Sequence, residues 1–146
     1  FRGPKNSNSN NSTNNTGGWA GLEARDLATL AWSFATASVT QLPLGAGGLL
    51  GAAGAAMPSI AKASLPKVSQ FDPQGVANLC WALGYARVPD CAKLFEAVGA
   101  IVAADLGKGL YSARQLANIS WAFASLAYRD QELFDSIAVF AAANMG

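Results

Sequence analysis

The side chains best equipped for chemistry in this chain are amides. Gln74 and Asn78 stand four residues apart, and Gln115 and Asn118 three apart, so each pair can share one face of a helix. Arg114 adjoins the second pair, and Arg25 stands four residues before Thr29 in an earlier segment of similar texture. An amide both donates and accepts hydrogen bonds, and a guanidinium only donates. Such groups suit reading a hydrogen-bonding edge better than breaking a bond. The sequence has no histidine, which removes His-based acid/base catalysis, the Ser-His-Asp and Cys-His nucleophile systems and the commonest metal ligand. Two cysteines, Cys80 and Cys91, fall short of a disulfide framework or a four-ligand zinc site. The carboxylates are scattered. The expectation is a binding protein, not an enzyme, with no metal and no cofactor.

What positions these groups is an internal repeat, and a repeat decides the fold before anything else does. The run from Phe71 to Leu83 (FDPQGVANLCWAL) aligns with Tyr111 to Phe123 (YSARQLANISWAF), 40 residues on. Ala-Asn, Trp-Ala and the apolar positions coincide. Leu94-Phe95-Glu96-Ala97-Val98 then matches Leu133-Phe134-Asp135-Ser136-Ile137 at an offset of 39. An earlier copy around Leu27 to Phe34 lies 49 residues before the second, which leaves about nine extra residues, placed most naturally in the Gly-rich run 45–51. Each unit reads as two helices. Asp72-Pro73 and Ser112-Ala113 have the form of an N-cap and first helical residue. Val76, Leu79, Cys80 and Leu83 then make a stripe of period 3.6, repeated by Leu116, Ile119, Ser120 and Phe123 and by Leu27, Leu30, Ala31 and Phe34. A break follows at Arg87–Asp90 and Tyr128–Asp130, and second helices begin near Cys91 and Gln131. No single pair can bury its own apolar face, so repeated pairs stack. The expected fold is all-α: an α-solenoid of about three helix-turn-helix repeats (about 22–70, 71–110 and 111–146) after a disordered N-terminal tail.

Trp32, Trp81 and Trp121 recur at one repeat position, flanked by small residues: Ala28, Ala77 and Ala117, then Ala35, Gly84 and Ala124. Large rings beside small residues suit the interlocking of neighbouring first helices, which assigns the tryptophans to repeat packing. A base-stacking platform is the functional alternative. The free polar face of the first helices falls at positions 74, 75, 78 and 85, or Arg25, Asp26, Thr29 and Thr36 in the first copy and Arg114, Gln115, Asn118 and Ser125 in the third. Positions 74, 75 and 85 differ from copy to copy, as readout positions should in a modular RNA reader that offers two or three side chains per repeat. An ordinary solvated helix face is the alternative.

Composition sets the outer limits. The chain has 146 residues, 51% hydrophobic and 13% charged, about half the charged share of an ordinary soluble domain. It is long enough for one packed domain, placed at 19–146. Residues 1–18 are almost purely polar, rich in Asn and Ser, and cannot repay the entropy of ordering; they read as a disordered linker. The first residue is Phe1 and the repeat pattern is broken off at Gly146, so the chain reads as a piece of a longer array. Residues 19–146 carry eight Lys/Arg against nine Asp/Glu, which argues against indiscriminate phosphate binding. Glu96, Asp105, Glu132 and Asp135 all fall on second helices, on what should be the outer surface. Leu42–Ala61 has a membrane span's length but is mostly Gly and Ala with two prolines, and the repeat claims its helix; no membrane partner is expected. The glycines at 45–51 lack a Gly-Lys-Ser/Thr ending and a preceding strand, which discounts a phosphate loop.

The pattern aromatic-x-Pro/Ala-Gln/Arg-x-Leu-Ala-Asn-x-x-Trp-Ala, seen best at Tyr111 to Ala122 and at Phe71 to Ala82, resembles the octotricopeptide-type helical repeats of green-alga organelle proteins. It is similar also to the helical repeats that precede RAP domains in FAST-kinase-like proteins. The first copy departs from it, with Thr29 for the Asn and Ser33 for the Ala. No RAP domain and no Pro-Pro-Pro-Glu-Trp run occur in this stretch. The resemblance implies sequence-selective binding of single-stranded chloroplast or mitochondrial RNA, in processing, stability or translation, alongside other proteins of a ribonucleoprotein complex. Candidate RNA-binding residues are then Gln74, Asn78, Arg114, Gln115, Asn118 and Arg25. The competing reading is a protein–protein interaction scaffold without RNA contact, since an α-solenoid offers its surface to peptides equally well.

Overall fold

A computed structural model describes residues 18–40 and 49–144, and among them every regular element is helical. The segment 1–18 and the Gly-rich run 45–51 thus lie largely outside the described residues, which take them up at Gly18 and at Leu49. Helix α1 spans Ala24–Thr40, α2 Leu49–Ser64, α3 Pro73–Tyr85, α4 Ala92–Leu106, α5 Ala113–Ser125 and α6 Gln131–Asn144. Two 3₁₀ turns, Gly18–Gly21 and Leu65–Gln70, flank the first pair. They are tied together by the Lys67 ammonium, which donates to the carbonyls of Ala20 (2.9 Å) and Leu22.

Helices α3, α5 and α6 start where short polar side chains satisfy their free N–H groups. Asp72 accepts from the Gly75 N–H at 2.7 Å, with Pro73 as the first helical residue. Ser112 and Gln115 form a reciprocal capping box: the Gln115 N–H donates to Ser112 Oγ (3.3 Å) and the Ser112 N–H donates to Gln115 Oε1 (2.8 Å). Asp130 does the same duty for α6, accepting from the Leu133 N–H at 3.0 Å.

The ends are equally regular. The N–H of Val88 donates to the Leu83 carbonyl and that of Arg87 to Gly84; at the end of α5 the N–H of Tyr128 donates to Phe123 and that of Ala127 to Ala124. This is the Schellman closure, made twice in the same register. Its turning residue has left-handed φ, at 50° for Arg87 and 58° for Ala127, where glycine is the usual occupant.

The odd-numbered helices lie side by side, α1 on α3 and α3 on α5, and the even-numbered helices form a second row, with α2 against α4 and α4 against α6. This two-row stack is compatible with an α-solenoid. Most of the expected stripe is core: Leu27, Ala31, Val76, Leu79, Cys80, Leu83, Leu116, Ile119 and Phe123 are buried, while Leu30, Phe34 and Ser120 stay partly exposed, the first two packed against the core from its edge. The approach of α3 to α5 is close, since a methyl group added at Gly84 would lie 3.0 Å from Ala122 Cα and 3.3 Å from the Trp121 ring. Between the rows, Phe95 of α4 meets Phe123 of α5 edge-on at 4.8 Å and lies 5.0 Å from the Tyr128 ring, and Phe134 of α6 meets Phe123 at 6.4 Å.

Two substitutions check this account by chemical denaturation. Ala127→Gly relieves a left-handed alanine and is expected to raise stability by about 1 kcal/mol, net of the extra freedom of the unfolded chain. Gly84→Val places atoms where the α5 backbone already is and is expected to cost about 1–3 kcal/mol.

Candidate functional site

The helix pairing brings five of the six candidate residues to one cleft. Gln74 and Asn78 of α3 and Arg114, Gln115 and Asn118 of α5 line it, joined by Ser112 and by Trp32 of α1, around a volume of about 390 Å³. That is the lower end of the range for ligand sites. No carboxylate lines it. Arg25 is exposed on α1 but is not among the lining residues; its carbonyl accepts from the Thr29 hydroxyl at 2.8 Å.

The amides are not independent. The Ser112 N–H donates to Gln115 Oε1 (2.8 Å), Gln115 Nε2 donates to Gln74 Oε1 (3.1 Å), and Gln74 Nε2 donates to Asn78 Oδ1 (2.8 Å). Three side chains thus form a relay across the α3–α5 contact, begun by a backbone donor. The sequence did not announce it. Gln74 and Gln115 are 41 residues apart, one step out of the 40-residue register, so aligning the copies pairs Gln74 with Arg114 instead. The one usable signal was the capping box, which fixes where Gln115 must turn.

Gly75 leaves the expected polar face. It is buried where α3 meets α1, and a Cβ there would lie 3.7 Å from that of Ala28. The tryptophans occupy three different settings. Trp81 is half-buried, packs on the core and stacks on Tyr85 with ring centroids 5.3 Å apart. Trp121 lies against Gly84 while remaining 44% exposed. Trp32, equally exposed, contributes its ring to the cleft.

Cys80 and Cys91 are both buried and unbonded. Burial, seconded by the mutual repulsion of the two sulfurs, pushes the Cys80 thiol up to about 12. Burial and then the Asp90 carboxylate raise Cys91 to about 11. Thiols held neutral in this way are poor nucleophiles. Among the described residues no cluster of His, Cys, Asp or Glu could hold a metal ion, and no helix is long and apolar enough to cross a membrane. No family model, curated protein or solved structure matches the chain.

The thiols carry a pH dependence of known sign. In the unfolded chain they ionise from their ordinary value of 9.0, whereas the folded protein holds them neutral to about 11 and 12. The unfolded state therefore loses protons first, and stability falls as pH rises from about 9 towards 12. Denaturation midpoints measured across that window should fall in the wild type and fall less in Cys80→Ala.

Proposed function

We propose that the cleft across α3 and α5 binds single-stranded RNA, each repeat addressing a base through the open face of its first helix, with no catalysed step. The observation that carries this reading is the convergence of Gln74, Asn78, Arg114, Gln115 and Asn118, with the Trp32 ring, on one acid-free cleft. Amides and guanidinium suit base edges, and an exposed indole suits a base's face. No acid lines the cleft: Glu96 on α4 and Glu132 and Asp135 on α6 are exposed on the other row of helices, and Asp26 and Asp72, exposed at the starts of α1 and α3, are not among the lining residues. With one arginine in the cleft, phosphate attraction is modest, and selectivity must come from base contacts. By its resemblance to organelle RNA-binding repeats, the chain would act on chloroplast or mitochondrial transcripts, in processing, stability or translation. A protein–protein scaffold is the second reading, favoured by the open apolar side chains Leu110 and Val139.

The test compares two double variants in binding to labelled single-stranded RNA. Gln74→Ala with Arg114→Ala is expected to weaken binding about tenfold or more, the loss of one good base or phosphate contact. Glu96→Ala with Asp135→Ala, on the other row, should leave it unchanged or slightly tighter. Equal binding by the folded first variant would remove the cleft from the function, and absence of RNA binding altogether would favour the scaffold.

A further inference from the structure

Amide side chains can ordinarily turn over to suit a ligand, offering a donor or an acceptor at will. Three of the four in this cleft cannot. The relay begins at the backbone N–H of Ser112, which can only donate, so Gln115 must present Oε1 to it. Gln115 Nε2 is then committed towards Gln74, which must answer with Oε1; Gln74 Nε2 is committed towards Asn78, which must answer with Oδ1. Each carbonyl oxygen is turned into the relay. What the relay leaves to a ligand is the Asn78 amide N–H₂ and the second N–H of Gln74 and of Gln115; beside them stand Arg114, which has no acceptor at all, and the Ser112 hydroxyl, which can donate as well as accept. Asn118 is the cleft residue whose amide stands outside the relay and can turn to suit.

Resting on the reading of this cleft as an RNA site, we infer that it selects pyrimidines over adenine. A cleft polarised towards donation matches the base edge with more acceptors. Uracil and cytosine each carry two acceptors on the Watson–Crick edge, whereas adenine carries one there and one on its Hoogsteen edge, each beside the N6 donor. The remaining donor of a pyrimidine edge meets the adaptable amide of Asn118. Adenine would set its amino donor against donors on either edge, leaving polar groups unpaired on both sides, which is the strongest form of discrimination a site can exert.

The relay also supplies its own test, because its polarity can be reversed at one residue. In Gln115→Glu one carboxylate oxygen still accepts from Ser112, but the other has no hydrogen to give. Gln74 must then turn to donate to it, and Asn78 must turn to donate to Gln74, presenting Oδ1 to the cleft. Gln115→Met removes the anchor without adding charge. Affinities of the full chain for labelled oligouridylate, oligocytidylate and oligoadenylate of about 12 nucleotides are read by fluorescence anisotropy, with folding checked by circular dichroism. In the wild type, both pyrimidine oligomers should bind about tenfold or more tighter than oligoadenylate, a single good base-edge distinction. That ratio should fall at least to unity in Gln115→Glu and approach unity in Gln115→Met. The added charge of the first variant weakens all three oligomers together and cancels in the ratio. A wild-type ratio near unity, or a ratio preserved in folded Gln115→Glu, overturns the inference while leaving RNA binding intact. Failure of all three to bind overturns the RNA reading itself and this inference with it.

Discussion

The constraint on which the molecule depends is how closely its odd-numbered helices approach. Small buried residues stand at the contacts, Ala28 and Ala77 on α1 and α3 and Gly84 and Ala122 on α3 and α5, and between α3 and α5 a methyl group added at Gly84 would lie only 3.0 Å from the Ala122 Cα. Interior packing transmits such distances rigidly. The separation of α3 from α5 puts Gln115 Nε2 3.1 Å from Gln74 Oε1. A bulkier contact would hold the helices further apart and break the one bond that crosses between them, leaving Gln115 tied to its own cap and Gln74 to Asn78, with nothing to fix which way the second pair is turned.

Much of the fold was legible in the sequence because its signals are local. Asp72-Pro73 and Ser112-x-x-Gln115 cap helices through contacts that span three residues, and both helices begin there. The apolar stripe of period 3.6 is likewise a property of one helix, and nine of its twelve members are buried, Leu30, Phe34 and Ser120 being the exceptions. Second helices starting at Ala92 and Gln131 follow from the polar breaks before them. The left-handed turns at Arg87 and Ala127 were not legible, since neither residue is a glycine; each is closed by backbone hydrogen bonds, Val88 to Leu83 and Tyr128 to Phe123, that leave no mark in residue type.

The candidate site was legible as a set of residues and illegible as a circuit. Periodicity puts Gln74 with Asn78 on one helix and Gln115 with Asn118 on another. It says nothing about which member of one helix meets which member of the next. That depends on a lateral offset between α3 and α5 set by Gly84, Trp121 and Ala122. Gly75 shows the same limit from the other side: it stands beside Gln74 in sequence, yet the close approach of α1 buries it. Arg25 matches the cleft residues in repeat position but stands one helix away from the α3–α5 contact where they converge.

The tie between Cys91 and Tyr128 bears on how the chain holds together as a whole. The N–H of Cys91, at the start of α4, donates to the Tyr128 hydroxyl at 3.1 Å, and Tyr128 belongs to the next repeat. One helix is therefore finished by a group that arrives only after the following unit has been laid down. The Phe95 ring, covered by Phe123 and Tyr128, extends the same dependence into the core. Repeats joined only by apolar contact could melt one at a time. Here the second pair shares a hydrogen bond and an aromatic cluster with the third, which couples the two into one cooperative unit.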